Sequence, residues 1–226
     1  MTATVRAAAG EFLGSAGLAA VVIGSGIAAQ RLSPTDVGLQ LFENAIATAL
    51  GLAVLILVFA TVSGSHFNPV VTLVDILLHR KPWSTAAVYL PVQVIGCIAG
   101  AVLANAMFAA PAVEWSTTDR SGWNLLLSEA IATAGLIVVI FALARSGRSH
   151  LAAPAVGAYI GAAYFFTSST SFANPAITIG RMFTDTFAGI APTSVMPFIA
   201  AQVVGAVLGW AIIRFVFPVP QERLPA

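Results

Sequence analysis

Long apolar stretches, separated by short polar connections, dominate the pattern of hydrophobic and polar positions in this chain. Six stretches reach the roughly 20 residues of helix that are needed to cross a hydrocarbon core of about 30 Å. They lie near 8–29, 43–62, 84–108, 124–144, 151–169 and 193–217. Two further apolar runs, 68–78 and 174–184, would each span only about 16 Å as helix. The pattern therefore predicts an all-α membrane protein with six transmembrane helices and two half-helices.

Each half-helix begins with Asn directly before Pro, in Asn68-Pro69-Val70 and in Asn174-Pro175-Ala176. Asn caps free backbone N–H groups, and Pro fits the first helical turn. Each pair follows a polar run, 63–66 or 167–171. Such exposed backbone is tolerated at membrane depth only against protein or a water-filled cavity. We expect two short helices that start inside the membrane beside a polar cavity.

Three markers recur in the same order in the two halves of the chain. Glu11 and Glu129 lie early in the first and fourth segments, Asn-Pro follows the second and fifth, and Gln-x-x-Gly lies in the third and sixth. Because three spans is an odd number, the second half enters the membrane from the opposite side, as an inverted repeat. We interpret residues 1–226 as one channel domain with halves at about 7–110 and 122–217.

The composition agrees with an integral membrane protein, because 58% of the 226 residues are hydrophobic and only 8% are charged. A net charge of +1 provides no basic surface for nucleic acid. The three His and one Cys show no metal-ligand or nucleophile spacing. We therefore predict no metal, no cofactor and no enzymatic activity.

The positive residues predict that both termini are cytoplasmic, in a multi-pass protein of the cell (inner) membrane, because seven would lie inside and three outside. The seven are Arg6, Arg80, Lys81, Arg145, Arg148, Arg214 and Arg223, and the three are Arg31, Arg120 and Arg181. In this topology the two half-helices meet N-terminus to N-terminus near the midplane. Their N–H groups and the amides of Asn68 and Asn174 would donate hydrogen bonds to a neutral solute, and their dipoles would disfavour cations.

Together these motifs resemble the aquaporin and aquaglyceroporin (major intrinsic protein) family over about residues 7–217. The resemblance implies an aquaporin-like fold, a homotetramer with one pore per subunit, and passive conduction of water and small neutral solutes across the lipid bilayer. It also implies roles for particular residues. Those at the pore midplane would be Asn68, Val70, Asn174 and Ala176, those of the pore-lining loop Ser65 and His66, and the loop-scaffolding acceptors Glu11 and Glu129.

One departure from the family pattern concerns the outer selectivity filter. The family's spacing places its four positions on Thr48, Ala162, Ser171 and Ile177, and the usual Arg of the last position is Ile here. Three small side chains and a missing cation predict a wide, arginine-free filter. It would pass glycerol-like polyols, metalloid hydroxides such as arsenous acid, and water. The chain resembles bacterial branches of the family that lack the filter Arg.

Arg181 allows two interpretations, because it lies four residues after Ile177 and so on the same helical face. It either leans back toward the filter or lies in the outer vestibule, where it pairs with Asp185 or faces water. We favour the vestibule.

A second open alternative is a coupled secondary transporter of a small polar solute. Such transporters also use inverted repeats and broken helices. Coupling needs ionisable residues near the midplane, and the candidates are Glu11 and Glu129.

Overall fold

The computed structural model describes residues 2–78 and 80–217, and these form no β-strand. These described residues fold into eight α-helices with two short 3₁₀ turns, one before α6 and one after α7. The α-helices are α1 (Ala3–Leu32), α2 (Val37–Phe59), α3 (Pro69–Leu77), α4 (Ser84–Met107), α5 (Trp123–Arg145), α6 (Ala152–Phe166), α7 (Pro175–Gly180) and α8 (Pro192–Val216). The 3₁₀ turns are Ser149–Leu151 and Arg181–Phe183. The predicted fold class is confirmed: six long helices frame two short ones.

The helix lengths follow the apolar stretches, with differences at their ends. Five helices, α1, α2, α4, α5 and α8, are long and apolar enough to cross a membrane. The sixth, α6, has only 15 residues because the chain enters it through a 3₁₀ turn and leaves the helical conformation at Thr167. The half-helix α7 ends at Gly180, before the predicted 184, because a 3₁₀ turn begins at Arg181. Arg223, used above for the orientation, lies outside the described residues.

The two halves are each built around one close helix crossing, α1 on α4 and α5 on α8. A side chain at Gly100 would collide with the carbonyl oxygen of Ala16, and one at Gly205 with that of Ala130. Small residues at these points let the helix backbones touch, as membrane helices do where they associate by close packing. The crossings position Glu11 and Glu129 beside the loops that precede the half-helices.

Candidate functional site

The half-helices α3 and α7 meet N-terminus to N-terminus through reciprocal hydrogen bonds. The Oδ1 atom of Asn68 accepts the N–H of Val70 at 3.1 Å, and its Nδ2 donates to the carbonyl of Ala173 at 2.8 Å. Asn174 repeats this arrangement: its Nδ2 donates to the carbonyl of Phe67 at 2.8 Å. Each amide group has two N–H bonds and uses one on the opposite loop. Each Asn therefore caps its own helix and joins the two loops.

The loops before the two Asn residues have an unusual backbone. Ser65 and Phe67 have φ values of 54° and 49°, and the corresponding Ser171 and Ala173 have 52° and 48°. Residues other than glycine rarely adopt this left-handed region, and it costs about 1–3 kcal/mol each. Such strain is found where function fixes the backbone, and here it recurs at equivalent places in both halves.

Two buried carboxylates hold these loops in place. Glu11 accepts hydrogen bonds from the hydroxyl of Ser63 and from the backbone N–H groups of His66 and Phe67, at 2.7–2.9 Å. Glu129 accepts them from Ser169, Phe172 and Ala173 at 2.6–2.9 Å. Both Glu side chains are 0% exposed. Charge-assisted hydrogen bonds of this kind offset the strain of the loops.

A glutamine side chain donates the fourth hydrogen bond to each carboxylate. Gln93 donates to Glu11 at 2.8 Å and to the hydroxyl of Thr72 at 3.0 Å. Gln202 donates to Glu129 at 2.7 Å and to Thr178 at 2.9 Å. These are the glutamines of the repeated Gln-x-x-Gly pattern. The repeat therefore corresponds to a hydrogen-bond network that links two long helices, one loop and one half-helix in each half.

A single cavity runs along both Asn residues. Its polar groups come mainly from the two loops and the start of the second 3₁₀ turn, and its apolar wall comes from the long helices. The apolar wall includes Leu18, Val22, Leu52, Ile56, Leu136, Ile140, Val156 and Ile160. A lining with a few polar groups on an apolar wall fits a small solute that has both hydroxyl groups and a carbon skeleton.

Most of the predicted site residues contribute to this cavity. Its lining includes Ser65, His66, Asn68, Thr48, Ser171, Asn174 and Ile177. Val70 and Ala176, expected at the pore midplane, lie outside that lining and are buried. Both occupy the first helical turn behind an Asn, where they donate backbone N–H groups to its Oδ1.

The assignment of Ala162 to the filter is corrected by the structure. Ala162 is exposed on α6, whereas Val156, Ile160 and Tyr164 line the cavity. These three share a helix face at four-residue spacing, and residue 162 points about 200° away from Ile160. The hydroxyl of Tyr164 lies 3.1 Å from that of Thr48. Tyr164 thus stands where a small side chain was expected.

The position of Arg181 is also different from the favoured interpretation. Arg181 is 2% exposed and lines the same cavity as Thr48 and Ser171. Asp185, its expected partner, instead accepts hydrogen bonds from the N–H and hydroxyl of Thr117. Ile177 brings no cation, but the guanidinium of Arg181 lines the same cavity from one turn further along, and Tyr164 adds bulk, so this cavity is not free of arginine.

The other end of the cavity carries a polar cluster around His66. Its Nδ1 lies 3.0 Å from the hydroxyl of Thr72, and its Nε2 lies 3.5 Å from Asp75. Asp75 in turn pairs with Arg80 at 3.0 Å. These contacts fix the imidazole at the cavity wall.

Sequence reasoning missed Tyr164 and Phe172. Tyr164 had a detectable signal, because it continues the apolar stripe of Val156 and Ile160 at helical spacing. Phe172 had none, since its ring meets Arg181 only through the fold of the segment after α7.

Comparisons with known proteins identify the family and agree with the fold. The family model of the major intrinsic proteins matches residues 1–172. The chain belongs to the major intrinsic protein family. Members of this family are channels, not enzymes, and the long apolar helices make this one a multi-pass membrane protein.

Individual relatives of this major intrinsic protein cover nearly its whole length. It is 44% identical to aquaglyceroporin AqpS of Rhizobium meliloti (strain 1021), over 93% of this chain and 89% of that protein. It is 34% identical to aquaporin NIP1-3 of Oryza sativa subsp. japonica, over 86% and 70% of the two chains. The X-ray structure of the aquaglyceroporin from Plasmodium falciparum shares the fold, with a TM-score of 0.73 at 21% identity over 94% of this chain and 96% of that one.

Proposed function

We propose that this protein is a passive channel for small uncharged solutes, namely glycerol-like polyols and metalloid hydroxides such as arsenous acid, and for water. The observation that carries the proposal is the cavity beside Asn68 and Asn174, where polar loops face apolar helices. A polyol presents hydroxyl groups to the loops and carbon atoms to the helices. Arsenous acid is similarly small, neutral and rich in hydroxyl groups.

The similarity to aquaglyceroporin AqpS supports the polyol part of the proposal, since that protein is named for such conduction. The hydroxyls of Thr48 and Tyr164 support it as well, because they can donate and accept hydrogen bonds as a solute exchanges its water for the protein.

The alternative of a coupled secondary transporter is disfavoured by the hydrogen bonds of its two candidate carboxylates. Glu11 and Glu129 each accept four hydrogen bonds from side-chain and backbone donors. Proton coupling through either side chain would have to break hydrogen bonds to these donors and leave them buried without an acceptor. Neither side chain lines the cavity.

We further propose that the protein is a homotetramer of the cell (inner) membrane with both termini cytoplasmic. Exposed apolar side chains such as Leu50, Val54 and Leu57 on α2 support contact with lipid or with a neighbouring subunit. Arg6 near the N-terminus and Arg80 after the first half-helix support the orientation.

Stopped-flow light scattering on proteoliposomes tests the function. We expect the native chain to increase the fluxes of water, glycerol, urea and arsenous acid above those of empty liposomes. Ile177→Arg would add a second guanidinium to the constriction and lower the glycerol flux more than the water flux. Conduction of water alone, or solute flux that saturates and follows a proton gradient, would refute the proposal.

A further inference from the structure

Arg181 lines the cavity directly after the second half-helix. It is the first residue after α7, one helical turn beyond Ile177, and its side chain lines the cavity together with Ser171 and Thr48. Ile177 also lines this region and carries no charge. The guanidinium of Arg181 therefore brings a cation to the constriction from a different place in the sequence.

Two contacts fix this side chain. Its Nε donates to the carbonyl of Ala188, in the connection between the second 3₁₀ turn and α8. Its guanidinium carbon lies 3.4 Å from the centre of the Phe172 ring. A guanidinium on an aromatic face is held by cation–π attraction and stacking. Glu129 accepts hydrogen bonds from the backbone N–H groups of both Phe172 and Ala173. The backbone that carries the Phe172 ring is therefore held in place.

Arg120 strengthens this arrangement from the connection between α4 and α5. Its guanidinium carbon lies 5.1 Å from the same Phe172 ring centre, and its Nε donates to the carbonyl of Gly189 at 2.8 Å. Arg120 thus ties down the segment that carries Ala188, the acceptor of Arg181.

The positive charge of Arg181 has no counter-ion in contact. Within residues 2–78 and 80–217, no carboxylate lies within ion-pair distance of its guanidinium, and its terminal nitrogens donate to no protein acceptor. In the lining of the same cavity, the hydroxyl of Ser171 is buried without a hydrogen-bond partner. A fixed, unneutralised cation with free N–H donors repels cations and offers hydrogen bonds to a neutral oxygen.

We propose that Arg181 is the specificity-determining cation of this channel, which rejects monovalent cations and binds the oxygen atoms of neutral hydroxylated solutes in place of the residue that Ile177 does not supply. The binding half of this inference rests on the proposed function, whereas the rejection of cations does not.

The test compares Arg181→Gln and Arg181→Lys with the native chain and with Arg31→Gln in proteoliposomes. Arg31 is a matched control, because its guanidinium also faces an aromatic ring, with its carbon 5.3 Å from the ring centre of Phe108. Arg31 is exposed and does not line the cavity. Proton flux is followed with an enclosed pH-sensitive dye, and glycerol and urea fluxes by light scattering.

Arg181→Gln should raise the proton flux roughly tenfold, equivalent to about 1.4 kcal/mol of lost barrier, while Arg31→Gln stays at the native value. Arg181→Lys should remain proton-tight because it keeps the charge, but should change the glycerol-to-urea ratio because it lacks the planar donor fork. A proton-tight Arg181→Gln, or a Lys variant as leaky as the Gln variant, overturns the inference.

The Lys variant decides the matter if Arg181→Gln does not fold: native fluxes for protons, glycerol and urea would overturn the donor role of the guanidinium. If the native chain passes no neutral solute and Arg181→Gln still leaks protons, the proposed function fails and the role of Arg181 in cation rejection stands.

Discussion

Glu129 accepts the hydrogen bonds that hold the loop before α7, through one buried carboxylate. In Glu129→Gln, an amide NH₂ would replace one oxygen that accepts hydrogen bonds, and it would face the donors of Ala173 and Gln202. A buried donor left without an acceptor costs about 1–3 kcal/mol. We expect a loss of at least about 2 kcal/mol, measured as a lower unfolding temperature in detergent.

A suitable control is Glu114→Gln, since Glu114 is exposed in the connection between α4 and α5. Equal effects of the two substitutions would show that the network around Glu129 does not support the loop.

A substitution of Tyr164 tests the constriction without changing the charge of the cavity. Tyr164→Phe removes the hydroxyl next to Thr48 and keeps the ring. One lost hydrogen bond of about 1 kcal/mol should slow glycerol several-fold while water flux changes less. Tyr159→Phe is the control, because the Tyr159 hydroxyl donates to the carbonyl of Ala132 and lies outside the cavity lining. Unchanged glycerol flux in Tyr164→Phe would place the constriction elsewhere.

At the scale of single residues, the sequence predicts what is fixed locally. Asn68 and Asn174 cap helices that begin at their own Pro, so their positions follow from the motif. Ala162 was placed by counting residues from Asn174, although the side-chain direction depends on the rotation of α6. The direction of Arg181 depends on Phe172 and on the Ala188 carbonyl, which no local pattern encodes.

At the scale of elements, the glycine contacts fix how closely α1 approaches α4. A Cβ atom at Gly100 would overlap the carbonyl oxygen of Ala16, which is backbone and cannot rotate away. Gly100→Ala should therefore push the helices apart and cost about 1–3 kcal/mol, as overpacking does. Gly24→Ala provides the comparison, because its Cβ would lie 3.4 Å from Phe108, an ordinary contact. Thermal unfolding of both variants in detergent checks this, and equal stability would contradict it.

The connection between α4 and α5 is anchored through an exposed carboxylate. Hydrogen bonds from Ser121 and Ser194 lower the pKa of Asp119. This stabilisation is present above the ordinary Asp pKa of about 3.9 and is lost as the pH falls through the lowered value. We expect the hydrogen-exchange protection factors of residues 117–121, which are corrected for the intrinsic pH dependence of exchange, to fall below about pH 4. Asp119→Asn should remove this pH dependence, and an unchanged profile in that variant would assign it to another group.

The lengths of the helices could be predicted because membrane thickness sets them. The exact residues at which helices begin and end could be predicted less well. The two half-helices were found from their short apolar runs and Asn-Pro starts. The early end of α7 and the short α6 depend on tertiary contacts, such as the hydrogen bond from the Ile190 N–H to the carbonyl of Arg181. Hydropathy alone carries no such information.

At the scale of the whole molecule, the two halves of the inverted repeat match each other even in individual hydrogen bonds. Each half supplies one carboxylate, one glutamine, one strained loop and one capping Asn, in the same connectivity. The halves differ where the chemistry of the cavity differs: His66 stands in the first loop, and Phe172 occupies the equivalent place in the second. The repeat thus provides a symmetric frame, and this departure from symmetry lies in the lining of the cavity.

The two halves are joined at the centre by Asn68 and Asn174, whose amides donate to the loop of the opposite half. Because both hydrogen bonds join the same two loops, losing one weakens the alignment of the other. In a double-mutant cycle with Asn68→Ala and Asn174→Ala, the double variant should lose less stability than the sum of the single losses, by about 0.5–3 kcal/mol.

The unfolding free energy in mixed micelles measures that coupling, and a second cycle shows whether it is specific to the centre. Asp36 caps α2 by accepting the N–H of Leu39 at 2.9 Å and forms no contact of this kind with the half-helices. The stability losses of Asp36→Ala and Asn68→Ala should therefore be additive to within about 0.5 kcal/mol, as the losses at separate sites are. Additive losses for Asn68 and Asn174 would mean that the two halves are held together by other contacts, such as those of α2 with α6, and that the central amides serve the solute alone.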